Sequence, residues 1–287
     1  MRAILAALSL SFLAACAAGA NVIVTTRENG AEERIPATVQ KPEGSGPFPA
    51  VVIAHDCSGL GPASSGAPGR WANELVAHGY VVILPDSYVT RWYPAGVCTE
   101  ASADRARIGF LQRARDALAA LAYLRTLPYV DPARVGVMGG SAGGNTTLTV
   151  MLPPAAGRAQ PGFAAGVALY PGCRARMGEW RGDMGGVYKP VAPVLILTGE
   201  ADDWTPSEPC RKLAAAAEKA GYPVSIKVYP GTYHSFDSPN PQRYVQARVN
   251  PNSPTGRGAT TAGNPEAWAD SIREVLAFFA RNLAPGR

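Results

Sequence analysis

The segment from Arg134 to Gly144, with the sequence RVGVMGGSAGG, decides the fold. Its first half is mostly apolar and predicts a buried strand, and the residues after it can begin a helix. Between them, Gly139, Ser141 and Gly143 form the pattern Gly-x-Ser-x-Gly, which is typical of a sharp turn that leaves a serine hydroxyl exposed between a strand and a helix. A phosphate-binding loop is disfavoured, because no lysine follows as in a P-loop and no GxGxxG pattern includes the serine.

Short apolar runs, separated by polar loops and helical stretches, repeat on both sides of this segment. There are six of them: Ala50 to Ala54, Tyr80 to Leu84, Arg134 to Met138, Gly166 to Tyr170, Pro193 to Leu197 and Val224 to Tyr229. Nearly continuous apolar runs are typical of parallel strands covered by helices on both faces. Ahead of them, two further β-rich runs flank Asn29-Gly30, which predicts an antiparallel hairpin. The sequence therefore predicts an α/β fold with a mostly parallel sheet and an N-terminal antiparallel hairpin.

A packing helix is expected between the second and third apolar runs. Its apolar residues recur at helical spacing: Ile108, Leu111, Leu118, Leu121 and Leu124. Ligands of open parallel sheets bind beyond the carboxyl ends of the strands, so the loops at those ends are where chemistry is expected. The long loops there are Asp56 to Arg70, Asp86 to Asp104, Pro171 to Pro190 and Phe236 to Asn264.

Composition and charge exclude several classes of protein. The 287 residues are 47% hydrophobic and 17% charged, which provides a core and argues against disorder. The net charge of +5 is spread along the chain without a block of like charges, so no nucleic-acid partner is expected. No internal repeat or low-complexity linker divides the chain, and we expect residues 21–287 to form a single domain.

Residues 1–20 are expected to be an export signal, because Arg2 precedes an apolar run that is too short to span a bilayer. Two processing sites compete. Ala18-Gly19-Ala20 suits an ordinary signal peptidase, whereas Cys16 lies in a lipoprotein-like box and would provide a lipid anchor, the only membrane contact expected. The mature protein would be periplasmic or secreted, where disulfides form. Four cysteines then remain, which allow three pairings: Cys57, Cys98, Cys173 and Cys210.

A serine hydroxyl needs a base to become a nucleophile, and the chain has three histidines. His78 ends a predicted helix and His55 ends the first apolar run, whereas His234 follows the last run and is the expected base. An acid must orient that base, and the loop after the fifth run offers Glu200, Asp202 and Asp203. The order Ser141, Asp202, His234 is the order of the α/β hydrolases.

Two backbone N–H groups are expected to bind the oxyanion that forms when serine attacks a carbonyl. One belongs to the residue after the nucleophile, Ala142, and the other comes from the loop after an earlier strand, where Cys57 is the expected donor. Aromatic residues in the loops, Trp92, Tyr93, Trp180 and Trp204, are candidates for the rim of the site, with Arg174 and Arg176 nearby. No metal site is expected, because the cysteines lack CxxC spacing and histidines are few.

From about Val22 to Leu283, the sequence resembles the dienelactone hydrolase family of the α/β-hydrolase superfamily. The resemblance lies in VVIAHDCSGL (51–60), GYVVILPDSY (79–88), RVGVMGGSAGG (134–144), GEADDWTP (199–206) and YPGTYHSF (229–236). It implies the α/β-hydrolase fold and favours Asp202 over Asp203 as the acid. The family typically has a cysteine nucleophile, whereas this chain has Ser141. The family also binds a substrate carboxylate with two arginines. Arg91 lies near one of those positions, and Ser238 occupies the other.

The strand order implied by the resemblance also selects a disulfide pairing. The first two parallel strands would be neighbours, as would the fourth and fifth, so we expect Cys57 to pair with Cys98 and Cys173 with Cys210. Each bond would then join loops at adjacent strand ends.

The function predicted from these residues is an exported serine hydrolase that acts on small carboxylic esters or lactones without a metal or organic cofactor. Arg91, Trp92 and Trp204 are the candidate substrate-binding residues. The alternatives are a peptidase or acyltransferase on the same fold, or a non-catalytic envelope protein that binds a ligand through a vestigial triad.

Overall fold

The computed structural model describes residues 19–28, 31–153, 162–173 and 187–285. Almost all of the predicted export signal, the Asn29-Gly30 turn, and the candidate rim residues Trp180, Arg174 and Arg176 lie outside these ranges.

An eight-stranded sheet forms the centre of the molecule, with the order β1-β2-β4-β3-β5-β6-β7-β8. Its strands are β1 (Ala20–Glu28), β2 (Ala31–Gln40), β3 (Phe48–Ala54), β4 (Val81–Pro85), β5 (Val130–Gly140), β6 (Ala165–Leu169), β7 (Val194–Gly199) and β8 (Val224–Tyr229). The six strands from β4 to β8 in this order are parallel, while β1 and β2 form an antiparallel hairpin that pairs with β4. Each predicted apolar run is a strand of the parallel part, so the predicted fold class is confirmed.

Helices cover both faces of this sheet. They are α1 (Ala67–Ala77), α2 (Arg105–Ile108), α3 (Phe110–Leu124), α4 (Ala142–Val150), α5 (Ser207–Lys219) and α6 (Pro265–Asn282). One apolar cluster joins the sheet to α3, α4 and α5, and a second joins it to α1 and α6. Parallel strands become apolar throughout when helices cover both faces, which explains the runs seen in the sequence.

The face of α3 that packs on the sheet differs from the predicted one. Leu121 and Leu124 are buried, but Leu111 and Leu118 are 72% and 40% exposed. Alanines 114, 117 and 120 occupy the buried face and bring the helix close to the strands. The leucine spacing predicted a helix correctly and part of its buried face wrongly, because alanine carries little weight in a search for apolar side chains.

The loop expected from Phe236 to Asn264 contains a second, two-stranded sheet formed by β9 (Arg243–Val249) and β10 (Arg257–Thr261). This hairpin is attached to three loops at the carboxyl ends of the main strands. Val249 N–H donates to the Cys98 carbonyl (2.9 Å), Ala262 N–H donates to the His234 carbonyl (3.1 Å), and Thr260 N–H donates to Asp203 Oδ1 (2.8 Å). The hairpin therefore lies beside the edge of the sheet where the site was expected.

Both expected disulfides are present, between Cys57 and Cys98 and between Cys173 and Cys210. The first joins the loops after β3 and β4, and the second joins the loop after β6 to α5, which follows β7. In the described part of the chain, none of the helices has the length and apolar character needed to cross a bilayer.

Candidate active site

Ser141 lies at the sharp turn between β5 and α4, with φ 54° and ψ −117°. Positive φ is unusual for a residue with a side chain and is a form of backbone strain found at functional sites. The turn needs glycine at Gly143, because a Cβ there would collide with the Ala54 carbonyl of β3. The Gly-x-Ser-x-Gly pattern therefore forms the strand-turn-helix structure that the sequence predicted, with Ser141 at its apex.

His234 and Asp202 form a buried hydrogen-bonded pair at the same edge of the sheet. The Nδ1 atom of His234 is 2.7 Å from Asp202 Oδ2, and the two residues are 1% and 3% exposed. Since a carboxylate only accepts hydrogen bonds, the proton of a neutral imidazole is held at Nδ1, and Nε2 is left as the proton acceptor. This is the tautomer that a base acting on a serine requires.

The three acidic residues in the loop after β7 have different hydrogen-bond partners. Asp202 Oδ1 accepts hydrogen bonds from the backbone N–H groups of Trp204 (2.9 Å) and Thr205 (2.8 Å), which turn its other oxygen towards His234. Asp203 instead holds β10 through both the N–H and the hydroxyl of Thr260. Glu200 accepts from the Gly231 N–H. Asp202 is therefore the acid that faces the imidazole.

Leu169, at the end of β6, and Tyr170, the residue after it, contact Ser141 and His234 respectively. The Ser141 N–H donates to the Leu169 carbonyl (2.9 Å), and the ring of the next residue, Tyr170, lies 4.7 Å from the His234 ring between centroids. Among the residues that the structure describes, the hydrogen-bond partners of the His234 ring are Asp202 and Thr205, and the Ser141 hydroxyl is not one of them. In hydrolases without substrate this bond is often long and tightens when substrate binds.

The expected oxyanion loop is held by several independent bonds. Cys57 is tied to Cys98 by the disulfide, and its carbonyl accepts from the Val97 N–H at 2.7 Å. The carboxylate of Asp56 accepts from the N–H (2.7 Å) and hydroxyl (2.5 Å) of Ser58 and from the hydroxyl of Ser65 (2.5 Å). The N–H of Ala142 lies in the first turn of α4, where backbone donors have no partner within the helix.

His55 belongs to the support of this loop. Its Nδ1 donates to the Asp56 carbonyl (2.8 Å), so its Nε2 accepts from the Ser87 N–H (3.1 Å). Burial lowers the pKa of His55 well below its usual value, and the charge of Arg113 lowers it further. His55 is therefore a neutral, buried residue, and His78 is bonded to the Glu74 carbonyl of its own helix.

The predicted role of Arg91 as a substrate ligand is wrong. Arg91 is 1% exposed and forms ion pairs with Asp116 of α3 and Glu33 of β2, each at 2.6 Å. Burial lowers its pKa, but the hydrogen bonds and charges of Asp116 and Glu33 outweigh this effect and raise it. A guanidinium with all its charge compensated inside the protein is not available to a substrate.

The two candidate tryptophans differ in position. Trp92 is 80% exposed. Trp204 is half-buried with its ring 4.8 Å from the His234 ring, and its Nε1–H donates to the Val249 carbonyl of the hairpin. Arg248 of the hairpin stacks on the Trp204 indole, with its Cζ 4.7 Å from the ring. Trp204 therefore lies beside the imidazole of His234.

Sequence reasoning missed two residues in contact with the pair and a third that contacts one of those two. Thr205 Oγ1 lies 2.8 Å from Asp202 Oδ2 and 2.9 Å from His234 Nδ1. Tyr170 packs against His234, and Asp237 accepts a hydrogen bond from the Tyr170 hydroxyl. Thr205 and Asp237 each follow a predicted site residue by three positions, which was a usable signal, but nothing in the sequence marks Tyr170.

The fold and the strained serine turn define the class of protein, an α/β hydrolase. Comparison with known proteins gives the family. The family model of the dienelactone hydrolase family matches residues 35–283, and the chain belongs to that family. Membership of this family makes the chain a carboxylic ester hydrolase.

Individual relatives are similar at low identity. A protein of Methylorubrum extorquens, provisionally named carboxymethylenebutenolidase, is 27% identical over 70% of this chain and 68% of its own length. A Klebsiella pneumoniae protein provisionally described as a dienelactone hydrolase superposes with a TM-score of 0.62 at 20% identity, over 92% of this chain and 99% of its own. Esterase 2 of Thermogutta terrifontis, in a form phosphoramylated by tabun, gives 0.63 at 19% identity, over 96% and 100%.

Proposed function

We propose that this chain is an exported serine hydrolase that cleaves small carboxylic esters or lactones through Ser141, His234 and Asp202. The observation that carries the proposal is the buried 2.7 Å bond between His234 Nδ1 and Asp202 Oδ2, together with a serine held at φ 54° at the carboxyl end of β5. A buried imidazole with its Nε2 free to accept a proton is what a serine nucleophile needs. Trp204, at the His234 ring, is the proposed substrate-binding residue.

The reaction would proceed through an acyl-enzyme. The Ser141 hydroxyl attacks the carbonyl carbon while its proton passes to His234 Nε2, and Asp202 stabilises the imidazolium that forms. The N–H groups of Ala142 and Cys57 donate to the oxyanion. The leaving alkoxide takes the proton from His234 as the tetrahedral intermediate collapses. Water then gives a proton to His234 Nε2 and attacks the acyl carbon. Ser141 leaves as it takes this proton back, and the carboxylic acid is released.

Export is part of the proposal. The apolar run after Arg2 and the two disulfides support a periplasmic or secreted location, because such bonds persist in oxidising compartments. Mass spectrometry of the exported protein would distinguish cleavage near Ala20 from lipidation at Cys16. Detection of residues 1–15 in the mature protein would contradict both forms of processing.

The catalytic part is tested with a panel of p-nitrophenyl esters, lactones and a dienelactone, together with a fluorophosphonate probe. Ser141→Ala should abolish labelling, and Asp202→Asn should lower kcat on the order of 10⁴-fold, because the imidazole loses its orienting anion. Asp203→Asn is the matched control. It weakens a bond to β10 and should lower kcat far less.

Three outcomes would favour the alternatives. Folded wild-type protein that neither labels nor hydrolyses any ester would support a binding protein. Ester formation from an added alcohol in preference to hydrolysis would support an acyltransferase, and cleavage of peptides in preference to esters would support a peptidase.

A further inference from the structure

Tyr170 lies between the serine turn and the imidazole, and its position is fixed at several points. On one side its ring packs against His234, with 4.7 Å between centroids and an angle of 63° between the ring planes. On the other side its hydroxyl lies over Gly140, the residue before Ser141, so closely that a Cβ at Gly140 would be 2.5 Å from the phenol oxygen. One side chain therefore spans the backbone that holds the nucleophile and the ring that acts as the base.

The phenol of Tyr170 is anchored by a buried carboxylate. Tyr170 Oη donates to Asp237, at 2.9 Å from Oδ1 and 3.0 Å from Oδ2, and Trp71 Nε1–H donates to Asp237 Oδ2 at 2.9 Å. The backbone of the same residue is held as well, because Arg70 Nε donates to the Asp237 carbonyl at 3.0 Å. Asp237 follows His234 by three residues, so this anchor joins the histidine loop to α1 and β6.

The surroundings leave the phenol little freedom. The space beside it, lined by Asp56, Trp71, Tyr170 and Asp237, has a volume of about 10 Å³. This volume is about that needed to hold one water molecule. On the main chain, the Tyr170 carbonyl lies 3.0 Å from Thr205 Oγ1, which also contacts Asp202 and His234.

The Asp237 carboxylate lies where burial disfavours its ionised form. Asp237 is 2% exposed, and burial raises its pKa despite the donors Trp71 and Tyr170 and the charge of Arg70. The charge of Asp56 raises that pKa further. An ionised group in such a place costs stability. The Asp237 carboxylate accepts hydrogen bonds from Trp71 and Tyr170 at once, and it holds the Tyr170 hydroxyl in a fixed position.

We propose that Tyr170 is a positioning residue that sets the separation and orientation of Ser141 and His234, and that Asp237 acts through it by anchoring its hydroxyl. The inference rests on the proposed serine-hydrolase function, since it assigns a task to a contact between the proposed nucleophile and base. Misplacing reacting groups by about 1 Å costs about 100-fold in rate, so partial loosening of the ring is expected to cost about tenfold.

The test compares five variants with p-nitrophenyl acetate as substrate, with active sites counted by a fluorophosphonate probe. Tyr170→Phe removes only the hydroxyl and should lower kcat per labelled site about tenfold, with KM changed less than about twofold. Asp237→Ala should do the same. Asp237→Asn should recover most of the loss, because its amide oxygen can accept from Trp71 and Tyr170 while its NH₂ donates to the phenol oxygen.

Tyr188→Phe is the matched control, because it removes a buried tyrosine hydroxyl that donates to the Leu148 carbonyl (3.0 Å). It should lower the melting temperature and leave kcat per labelled site unchanged. Combining Tyr170→Phe with Asp237→Ala should cost no more than the larger single loss, since both cut the same link.

Three results would overturn the inference. Unchanged kcat per site in Tyr170→Phe and Asp237→Ala would show that the link does not position the pair. Equal losses in Asp237→Asn and Asp237→Ala would show that the charge matters and the anchoring does not. A wild type that is folded but neither labelled nor active would remove the proposed function and this inference together, whereas the first two results leave the proposed function intact.

Discussion

The buried ion pair between Arg91 and Asp116 offers a direct test of the reassignment of Arg91. Asp116 is fully buried and accepts two hydrogen bonds from the guanidinium, at 2.6 and 2.8 Å. Asp116→Asn keeps the shape of the side chain but removes its charge. Arg91 then retains the carboxylate of Glu33, which is 24% exposed, and the Ser87 carbonyl at 2.8 Å.

Breaking a buried pair by removing one partner typically costs 3 to 5 kcal/mol, and we expect about 3 kcal/mol here because Glu33 remains. For a chain of this size, that free energy corresponds to a fall of about 6 to 12 °C in melting temperature. Urea unfolding followed by circular dichroism measures the loss. The control is Glu208→Gln, which removes an exposed pair with Lys212 at 3.4 Å and should cost at most about 0.5 kcal/mol.

The same variant separates a structural from a substrate-binding role when it is assayed with two esters. One is p-nitrophenyl acetate, and the other is a p-nitrophenyl half-ester of a dicarboxylic acid. If Arg91 is structural, Asp116→Asn and Arg91→Met change kcat/KM for the two esters by the same factor. A selective rise in KM for the anionic ester in Arg91→Met, or a loss of less than about 1 kcal/mol in Asp116→Asn, would refute the reasoning.

Three further predictions follow from the same structure. Replacing both Cys57 and Cys98 by serine should cost about 4 kcal/mol, for a loop of 41 residues, and should lower kcat because the oxyanion loop is loosened; unchanged kcat in folded protein would contradict this. The stability of Asp237→Asn relative to wild type should rise between about pH 4 and pH 7, because the pKa of Asp237 is raised in the folded protein and the wild type therefore loses stability as this carboxyl ionises. Urea unfolding at both pH values measures the difference in free energy of unfolding between the two proteins. Gly143→Ala should lower the free energy of unfolding by about 1 to 3 kcal/mol or more, since its methyl group would collide with the Ala54 carbonyl, and it should also abolish labelling by the fluorophosphonate.

The sequence predicted the parallel sheet and the serine turn because both depend on local patterns. The strands from β3 to β8 are apolar runs, most of them buried on both faces, and such runs are legible without knowledge of their neighbours. The turn at Ser141 is likewise predicted by a short local motif, the glycines on either side of the serine. The pairing of Cys57 with Cys98 followed from strand order, which the resemblance supplied.

The features that the sequence did not reveal depend on contacts between distant segments. The strand β9 (Arg243–Val249) mixes polar and apolar residues and is largely exposed, and the hairpin owes its position to bonds with Asp203 and Cys98. Arg91 lay near a position that binds substrate in the family, but its partner Asp116 is 25 residues away on another element. Tyr170 looked like the last residue of an apolar run, and only the fold brings it against the imidazole.

The hairpin formed by β9 and β10 has a consequence for how substrate preference could change in this family. It bonds to the Cys98 carbonyl in the loop after β4 and to the Asp203 carboxylate in the loop after β7, so it links loops that are remote from each other in the chain. Its outward side chains can vary without touching the sheet or the serine turn. Selection could therefore change the side chains around Trp204, on which Arg248 stacks, while the reactive groups stay where they are.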